Sequence, residues 1–383
     1  MDIYSNEQHD MIRQSVRDFA ESEIKPKAQE LDEKEAFSPD ITRKMGDLGL
    51  FGMFVPTKLG GQGLDILSYI IAVEELARVD GSQAATIAAH NSLGVGPILA
   101  YGTPEQKKKY LPQLSTGEKL WAFGLTEPAA GSDSRASTTR AELKGKQWEI
   151  NGAKIFITNA CSELAAGVTV QAITNIHPNG TKEISTILLE KGTEGYSQIP
   201  MKGKLMWRAS DTSQLFFENC KVPKENLLGK RGGGSKIMLS TLDGGRLSIA
   251  AMGLGCAQGA YEASVKYAKE REQFGKKIAS FQAIAFKLAD MAMKIELARN
   301  LLYKACWLKS KKKPYGKEAA MAKLYCSEIA KEVADEAVQI HGGYGLMKEF
   351  HIERFYRDQR LLQIGEGTSE IQRMVISRYI LKD

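Results

Sequence analysis

The chain has 383 residues, 43% hydrophobic and 26% charged, with 52 lysines and arginines against 46 acidic residues for a net charge of +6. That length suggests two or three domains, and the composition excludes a disordered, collagenous or coiled-coil chain. The basic runs, Lys107 to Lys109 and Lys309 to Lys313, are short and read as solvated faces, not as a nucleic-acid footprint. Five cysteines (Cys161, Cys220, Cys256, Cys306, Cys326) without a CxxC pair, and five histidines without ligand spacing, predict neither a disulfide framework nor a metal site. No apolar run approaches the ~18–20 residues that span a bilayer. The start, Met1-Asp2-Ile3-Tyr4-Ser5, has no cationic segment leading into an apolar one, so a reducing cytoplasm is expected.

Residues 1 to about 120 read as helices. Ser38-Pro39 supplies a cap residue followed by proline at the first helical position, and Thr103-Pro104-Glu105-Gln106 adds the glutamine of a capping box. Ile66, Tyr69, Ile70, Val73 and Leu76 recur at steps of three and four, which predicts one apolar stripe on a helix. After Trp121 the texture changes to short β-rich runs, at 148–150, 155–158, 168–170, 184–188 and 215–217, up to Gly229. Asn151-Gly152 between the first two runs predicts a type I′ hairpin. Helices do not alternate with these strands, which predicts an antiparallel sheet. From Ser235 four long helical segments follow, near 235–271, 280–312, 316–340 and 369–381, and their short links predict an up-and-down bundle. The expected architecture is α+β and multi-domain: an all-α domain over 1–120, a middle antiparallel β domain over 121–229 and a C-terminal four-helix bundle over 230–383.

Two glycine-rich stretches do not carry nucleotide chemistry. Gly253-Leu254-Gly255 with Gly259 lies within a helix and its third glycine is one residue late, so these small residues let helices approach closely. Gly229 to Lys236 lacks the order of a phosphate-binding loop, and no Gly-x-Ser-x-Gly elbow occurs.

Seven motifs, in order along nearly the whole chain, resemble the acyl-CoA dehydrogenase family: FGLTEPAAGSD at 123–133, KIFITN at 154–159, RASDT at 208–212, LDGGR at 242–246, REQFGK at 271–276, QIHGGYG at 339–345 and GEGTSE at 365–370. The resemblance implies FAD-dependent conversion of an acyl-CoA thioester to the 2-enoyl-CoA, as in acyl-CoA degradation. It implies flavin contacts from Phe123, Leu125, Thr126, Gly131, Ser132, Phe156 and Thr158. Glycine and proline keep the 126–132 loop irregular, so that backbone N–H groups can face a ligand. Phe156 and Thr158 stand two apart on one strand face. Arg271, Gln273 and Phe274 match a segment that reaches the flavin pyrophosphate of a neighbouring subunit, a task suited to arginine's planar fork. Gln339 and Gly343 match an adenylate-side contact across the dimer, and Thr368 and Glu370 complete the cofactor set. A cofactor shared in this way implies a homotetramer, a dimer of dimers, passing electrons to an electron-transfer flavoprotein.

Desaturation needs a base for the α proton and an acceptor for the β hydrogen, and a flavin supplies the acceptor. Glu366 matches the family's base, and its backbone N–H matches a donor to the thioester oxygen. Some relatives carry the base immediately before the arginine of the LDGGR motif, where this chain has Gly245 and no carboxylate. Asp243 and Arg246 match contacts to the coenzyme A portion. Ser132, Asn91, Gly365 and Gly367 complete the substrate set, with Ser92 beside Asn91. Most relatives have tyrosine where this chain has Gly365, which opens space for a branched, alicyclic or aryl acyl group; a butyryl-type short chain is the alternative. Met206 replaces a usual glycine. Ala84 stands where glutaryl-specific relatives have arginine, so a buried substrate carboxylate would lack its partner. The rival readings are an oxidase of the same fold, disfavoured by the missing carboxy-terminal extension, and a non-catalytic helical scaffold, disfavoured by Glu366, Thr158 and Arg271 occurring together.

Overall fold

The structure, a computed structural model, describes residues 4–382. Seven α-helices come first: α1 (Glu7–Phe19), α2 (Lys25–Lys34), α3 (Pro39–Asp47), α4 (Ile66–Ala77), α5 (Gly81–Ala89), α6 (Gly96–Tyr101) and α7 (Pro104–Ser115). Local chemistry sets several of their starts. The Ser38 hydroxyl accepts the Ile41 N–H at 3.2 Å with Pro39 opening α3. Thr103 and Gln106 form the reciprocal capping box of α7 at 3.2 and 3.0 Å. The single apolar stripe expected on α4 is instead a helix buried on all sides, because α1, α5, α8 and α9 all pack on it. Its two carboxylates survive burial by being saturated. Glu75 takes bonds from Arg13, Arg17 and Arg78, and Glu74 from Arg299 and Tyr303.

Eight strands follow: β1 (Leu120–Gly124), β2 (Arg140–Lys144), β3 (Gln147–Thr158), β4 (Ala165–Ile176), β5 (Lys182–Glu190), β6 (Tyr196–Pro200), β7 (Thr212–Pro223) and β8 (Leu227–Leu228). The sheet order is β6-β7-β3-β2-β4-β5-β8, with β1 pairing off that path on β4. Two expectations are corrected here. The sheet is mixed, since β1 runs parallel to β4 and β2 meets β4 in a parallel pair. Asn151-Gly152 forms no hairpin: β3 runs straight through it, because the residues on both sides pair with the same partner, β7. The ladder shifts register there, Gly152 adopts φ +145°, and a Cβ at that position would meet Thr139 Oγ1 at 2.6 Å. The Asn-Gly pair serves a bulge, with the Asn151 side chain accepting the Asn219 N–H.

The chain then returns to helix: α8 (Gly234–Glu270), a two-strand turn of β9 (Glu272–Gln273) and β10 (Lys276–Lys277), α9 (Gln282–Ser310), α10 (Gly316–His341), α11 (Ile352–Asp358) and α12 (Ser369–Ile380). Helices of both ends share one apolar core, in which Ile70, Val73 and Leu76 of α4 meet Leu247, Ala250 and Leu254 of α8 and Ala330 and Ala337 of α10. A second core fills the sheet around Trp148, Val170, Ile187 and Phe217. A third, with Val95, Leu111, Trp121, Leu188 and Ile237, joins the two. Close approach of α8 to α10 and α4 explains its small residues: a Cβ on Gly253 would stand 2.7 Å from the Cys326 carbonyl oxygen. Among the described residues no helix is long and apolar enough to cross a membrane.

Candidate active site

The turn between α11 and α12 places Glu366 against the middle of α8. Glu366 adopts φ +52°, a left-handed conformation uncommon for a residue with a side chain, and the following Gly367 continues at φ +94°. The carboxylate reaches back to Gly245, where an added Cβ would lie 1.7 Å from Glu366 Oε2. A carboxylate at 366 therefore requires the bare backbone of Gly245. Oε2 is buried with no hydrogen-bond partner among the described residues, and the Glu366 backbone N–H also has no acceptor there. Burial pushes the Glu366 carboxyl up to about 7, against the pull of Lys323 and Arg246 in the opposite direction. Next to Gly245 on α8, the Arg246 guanidinium is buried and donates to Asp243, while its Nε has no partner among the described residues.

The second assembly lies on the sheet. The Leu125–Thr126 backbone is tied to β3 by the Ile155 N–H, which donates to the Thr126 carbonyl at 2.9 Å, and by Lys154 Nζ, which donates to the Leu125 carbonyl at 3.0 Å. Lys154 also pairs with Glu127 at 2.7 Å, both side chains fully withdrawn from water. Phe156 sits at φ +60° with its side chain 62% exposed, beside the half-buried Thr158. Gly131 and Ser132 are exposed, and nothing lies within 4 Å of where a Gly131 Cβ would be. Phe123 is buried in β1, while Leu125 and Thr126 are half-buried.

The third assembly is a cavity of about 500 Å³ that brings Arg271 and Gln273 together with Gly342, Gly343 and Tyr344. The Arg271 guanidinium lies 5.6 Å from the Tyr344 ring centroid. Gln339 is exposed at the end of α10, and Phe274 is 93% exposed at φ +53°. These features fit FAD: an exposed aromatic ring and open glycine loop for a flat ring system, and a roomy cavity with a guanidinium for a pyrophosphate.

Family models match nearly the whole chain. The N-terminal, middle and C-terminal domains of acyl-CoA dehydrogenase match residues 6–118, 122–220 and 232–381. The chain belongs to the acyl-CoA dehydrogenase family. It is 47% identical to the short-chain specific acyl-CoA dehydrogenase of Clostridium acetobutylicum over 382 residues, all of both chains. It is 47% identical over 381 residues to the caffeyl-CoA reductase–Etf complex subunit CarC of Acetobacterium woodii, covering 99% of this chain and all of that one. The solved butyryl-CoA dehydrogenase of Megasphaera elsdenii superposes with a TM-score of 0.96 at 42% identity over both full chains. Like its relatives, this acyl-CoA dehydrogenase is a flavin-dependent oxidoreductase, and its cofactor is FAD.

One expected site residue has another role. Asn91 was expected near the substrate, but it is fully buried in a stretch of π-helix over 90–95, where its amide is committed to backbone. Oδ1 accepts the Gly52 N–H at 2.8 Å, and Nδ2 donates to Leu50 and Ile87 carbonyls. It locks the 50–52 segment, and both hydrogens of its amide are committed to backbone carbonyls. Ser92 likewise donates to the Ala88 carbonyl at 2.6 Å. Thr368 caps α12, its hydroxyl accepting the Ile371 N–H at 3.3 Å, and Glu370 is exposed in that helix's first turn. Met206 packs on the helical core, and Ala84 is fully buried within it. The sequence reading missed Lys323 and Gln372, whose side chains hold the Glu366 turn. The available signal was a lysine set among the small or apolar residues Ala319, Ala320, Ala322, Cys326 and Ala330 of a buried helix stretch.

Proposed function

We propose that this enzyme desaturates a short-chain acyl-CoA thioester, with Glu366 removing the α proton. The observation that carries this reading is the Glu366 carboxylate: buried, short of donors, and raised to about 7, it is both available and basic near neutral pH. Its backbone N–H, without an acceptor among the described residues, would donate to the thioester carbonyl as negative charge develops. Asp243 and Arg246 on α8 face the coenzyme A portion. Phe156, Thr158 and the 125–132 loop would hold the flavin ring, and Arg271, Gln273 and Gly343 the distal half of the FAD of a neighbouring subunit. Bound FAD supplies the acceptor for the β hydrogen. The short chain is favoured because relatives of 42–47% identity over full length are named for short-chain or butyryl substrates.

An aryl or alicyclic acyl group is the second reading. It rests on Gly365 and on a 47% identical relative named for caffeyl-CoA. The three atoms nearest a Cβ at Gly365 would all belong to Leu361, at 3.5–3.7 Å, so the space a tyrosine would claim begins against that residue at ordinary contact distances. An electron-transfer flavoprotein as acceptor is supported by the same relative's name. Assembly as a homotetramer is supported by exposed Phe286, Met293 and Leu297 along one face of α9 and by exposed Phe274.

Anaerobic bleaching of the holoenzyme's flavin by a panel of thioesters tests the substrate. Butyryl-CoA should bleach fastest, ahead of isovaleryl-, cyclohexanecarboxyl- and 3-phenylpropionyl-CoA. A faster response to 3-phenylpropionyl-CoA, selectively lost in Gly365→Tyr, would establish the second reading. No bleaching by any thioester would overturn both.

A further inference from the structure

Helix α10 presents three polar side chains to the turn that carries Glu366. Ser327 Oγ donates to the Leu362 carbonyl at 2.9 Å, and Glu328 accepts from Gln363 and Ser369, one on each side of the turn. Lys323, one turn earlier on the same helix, is fully buried, and its Nζ donates to the Gly367 carbonyl at 2.7 Å. Among the described residues no carboxylate lies within 4.0 Å of that ammonium. A buried cation without an ion-pair partner is costly unless it serves something. The hydrogen bond alone does not require a charge, because Gln372 Nε2 already donates to the same carbonyl at 2.9 Å and to the Glu366 carbonyl at 3.3 Å.

We propose that Lys323 is the positioning residue of the catalytic turn: its ammonium, fixed on the Gly367 carbonyl, holds Glu366 in its left-handed conformation and keeps a positive charge beside the carboxylate. The inference rests on Glu366 being the base. The groups facing that carboxylate are Lys323 from α10, Arg246 from α8 and the Tyr69 hydroxyl from α4, while Glu328 and Glu370 act in turn on Lys323. Burial brings the Lys323 ammonium down to about 8, against the opposing pull of Glu366. That pull favours the ammonium form while Glu366 is ionised. The charge favours the carboxylate form, so the base is ready at neutral pH despite its burial. Lys323 touches neither substrate nor cofactor in this account; it acts through the turn.

The test is the pH profile of kcat/KM for the holoenzyme, with flavin content read from the visible spectrum. Lys323→Met removes charge and donor together, and Lys323→Gln removes the charge but keeps a donor for Gly367. Both should move the acid limb upward by about one pH unit, with FAD content unchanged and part of the rate recovered at high pH. Lys323→Arg should hold the limb near its wild-type position. Should Lys323→Met fail to fold, Lys323→Gln still isolates the charge. An acid limb unmoved in Lys323→Gln, with flavin bound, overturns the proposal. Glu366→Gln separates the two ideas: if it stays active, the base assignment itself fails, whereas an inactive Glu366→Gln beside an unshifted Lys323→Gln refutes only the role of Lys323.

Discussion

Glu127 in the loop after β1 and Glu366 in the turn before α12 are both carboxylates drawn away from water, in surroundings of opposite kinds. Glu127 accepts from Lys154 Nζ at 2.7 Å, from the Thr138 N–H and hydroxyl at 2.6 and 2.8 Å, and from the Thr139 N–H at 3.1 Å. Burial pushes its carboxyl up, but Lys154 and these donors outweigh burial and hold it down to about 2. Glu366 has one oxygen with no donor among the described residues and is pushed up to about 7. A carboxylate that organises a loop is saturated with donors and never picks up a proton in use. One that must exchange protons is left short of donors, and the surrounding protein fixes its backbone instead of its oxygens.

The sharpest way to break this contrast is Glu366→Gln. It keeps size and hydrogen bonding but removes basicity, so turnover should fall by roughly 10²–10⁴-fold. FAD should stay bound, as read from the visible spectrum. Retention of activity within tenfold would remove Glu366 from the base role.

At the other carboxylate the loss should appear in stability. Lys154→Met strands the buried Glu127 charge, which should cost about 3–5 kcal/mol in urea unfolding. It should also weaken FAD binding by releasing the Leu125 carbonyl. An unchanged unfolding midpoint with normal flavin content would show that the loop does not depend on the pair.

Gly245→Ala probes the space given to Glu366. The added methyl would fall 1.7 Å from Oε2, so the carboxylate must move. A displacement on the order of 1 Å should lower kcat by about 100-fold while leaving flavin content intact. Activity close to wild type would mean that the carboxylate reaches the α proton from another orientation.

The smallest expected effects concern pH and stability, and the two carboxylates have opposite signs. Glu127 has a lowered carboxyl, so its contribution is present above the unfolded value of 4.5 and is lost as pH falls toward about 2. Glu366 has a raised one, so its contribution is fully present below 4.5 and is lost as pH rises through about 7. The melting temperature of Glu366→Gln relative to wild type should therefore climb between pH 4.5 and 7 and then level off. A difference that stays flat across that window would contradict the raised carboxyl.

Much of this was legible in local pattern. Helix starts at Ser38 and Thr103 follow from caps that involve only neighbouring residues, and the long helices after Ser235 stood out as long segments with short links. The Asn151-Gly152 reading failed because a turn signal states what a backbone can do, while the strand that pairs on either side decides what it does. Asn91 looked available because its amide partners, Gly52 and Leu50, lie about forty residues away in sequence.

Sequence by itself determined the helix–sheet–helix order, the caps, and the family through seven ordered motifs, including a glutamate between two glycines and a glycine at the alternative base position. Only the tertiary structure decided which charges meet. Lys154 finds Glu127 27 positions away, Lys323 finds the Gly367 carbonyl 44 away, and Gly245 opens the space that Glu366 fills. The physical reason is that burial and partnering set a carboxyl's affinity for its proton. Both are properties of the packed surroundings, which no stretch of neighbouring residues contains.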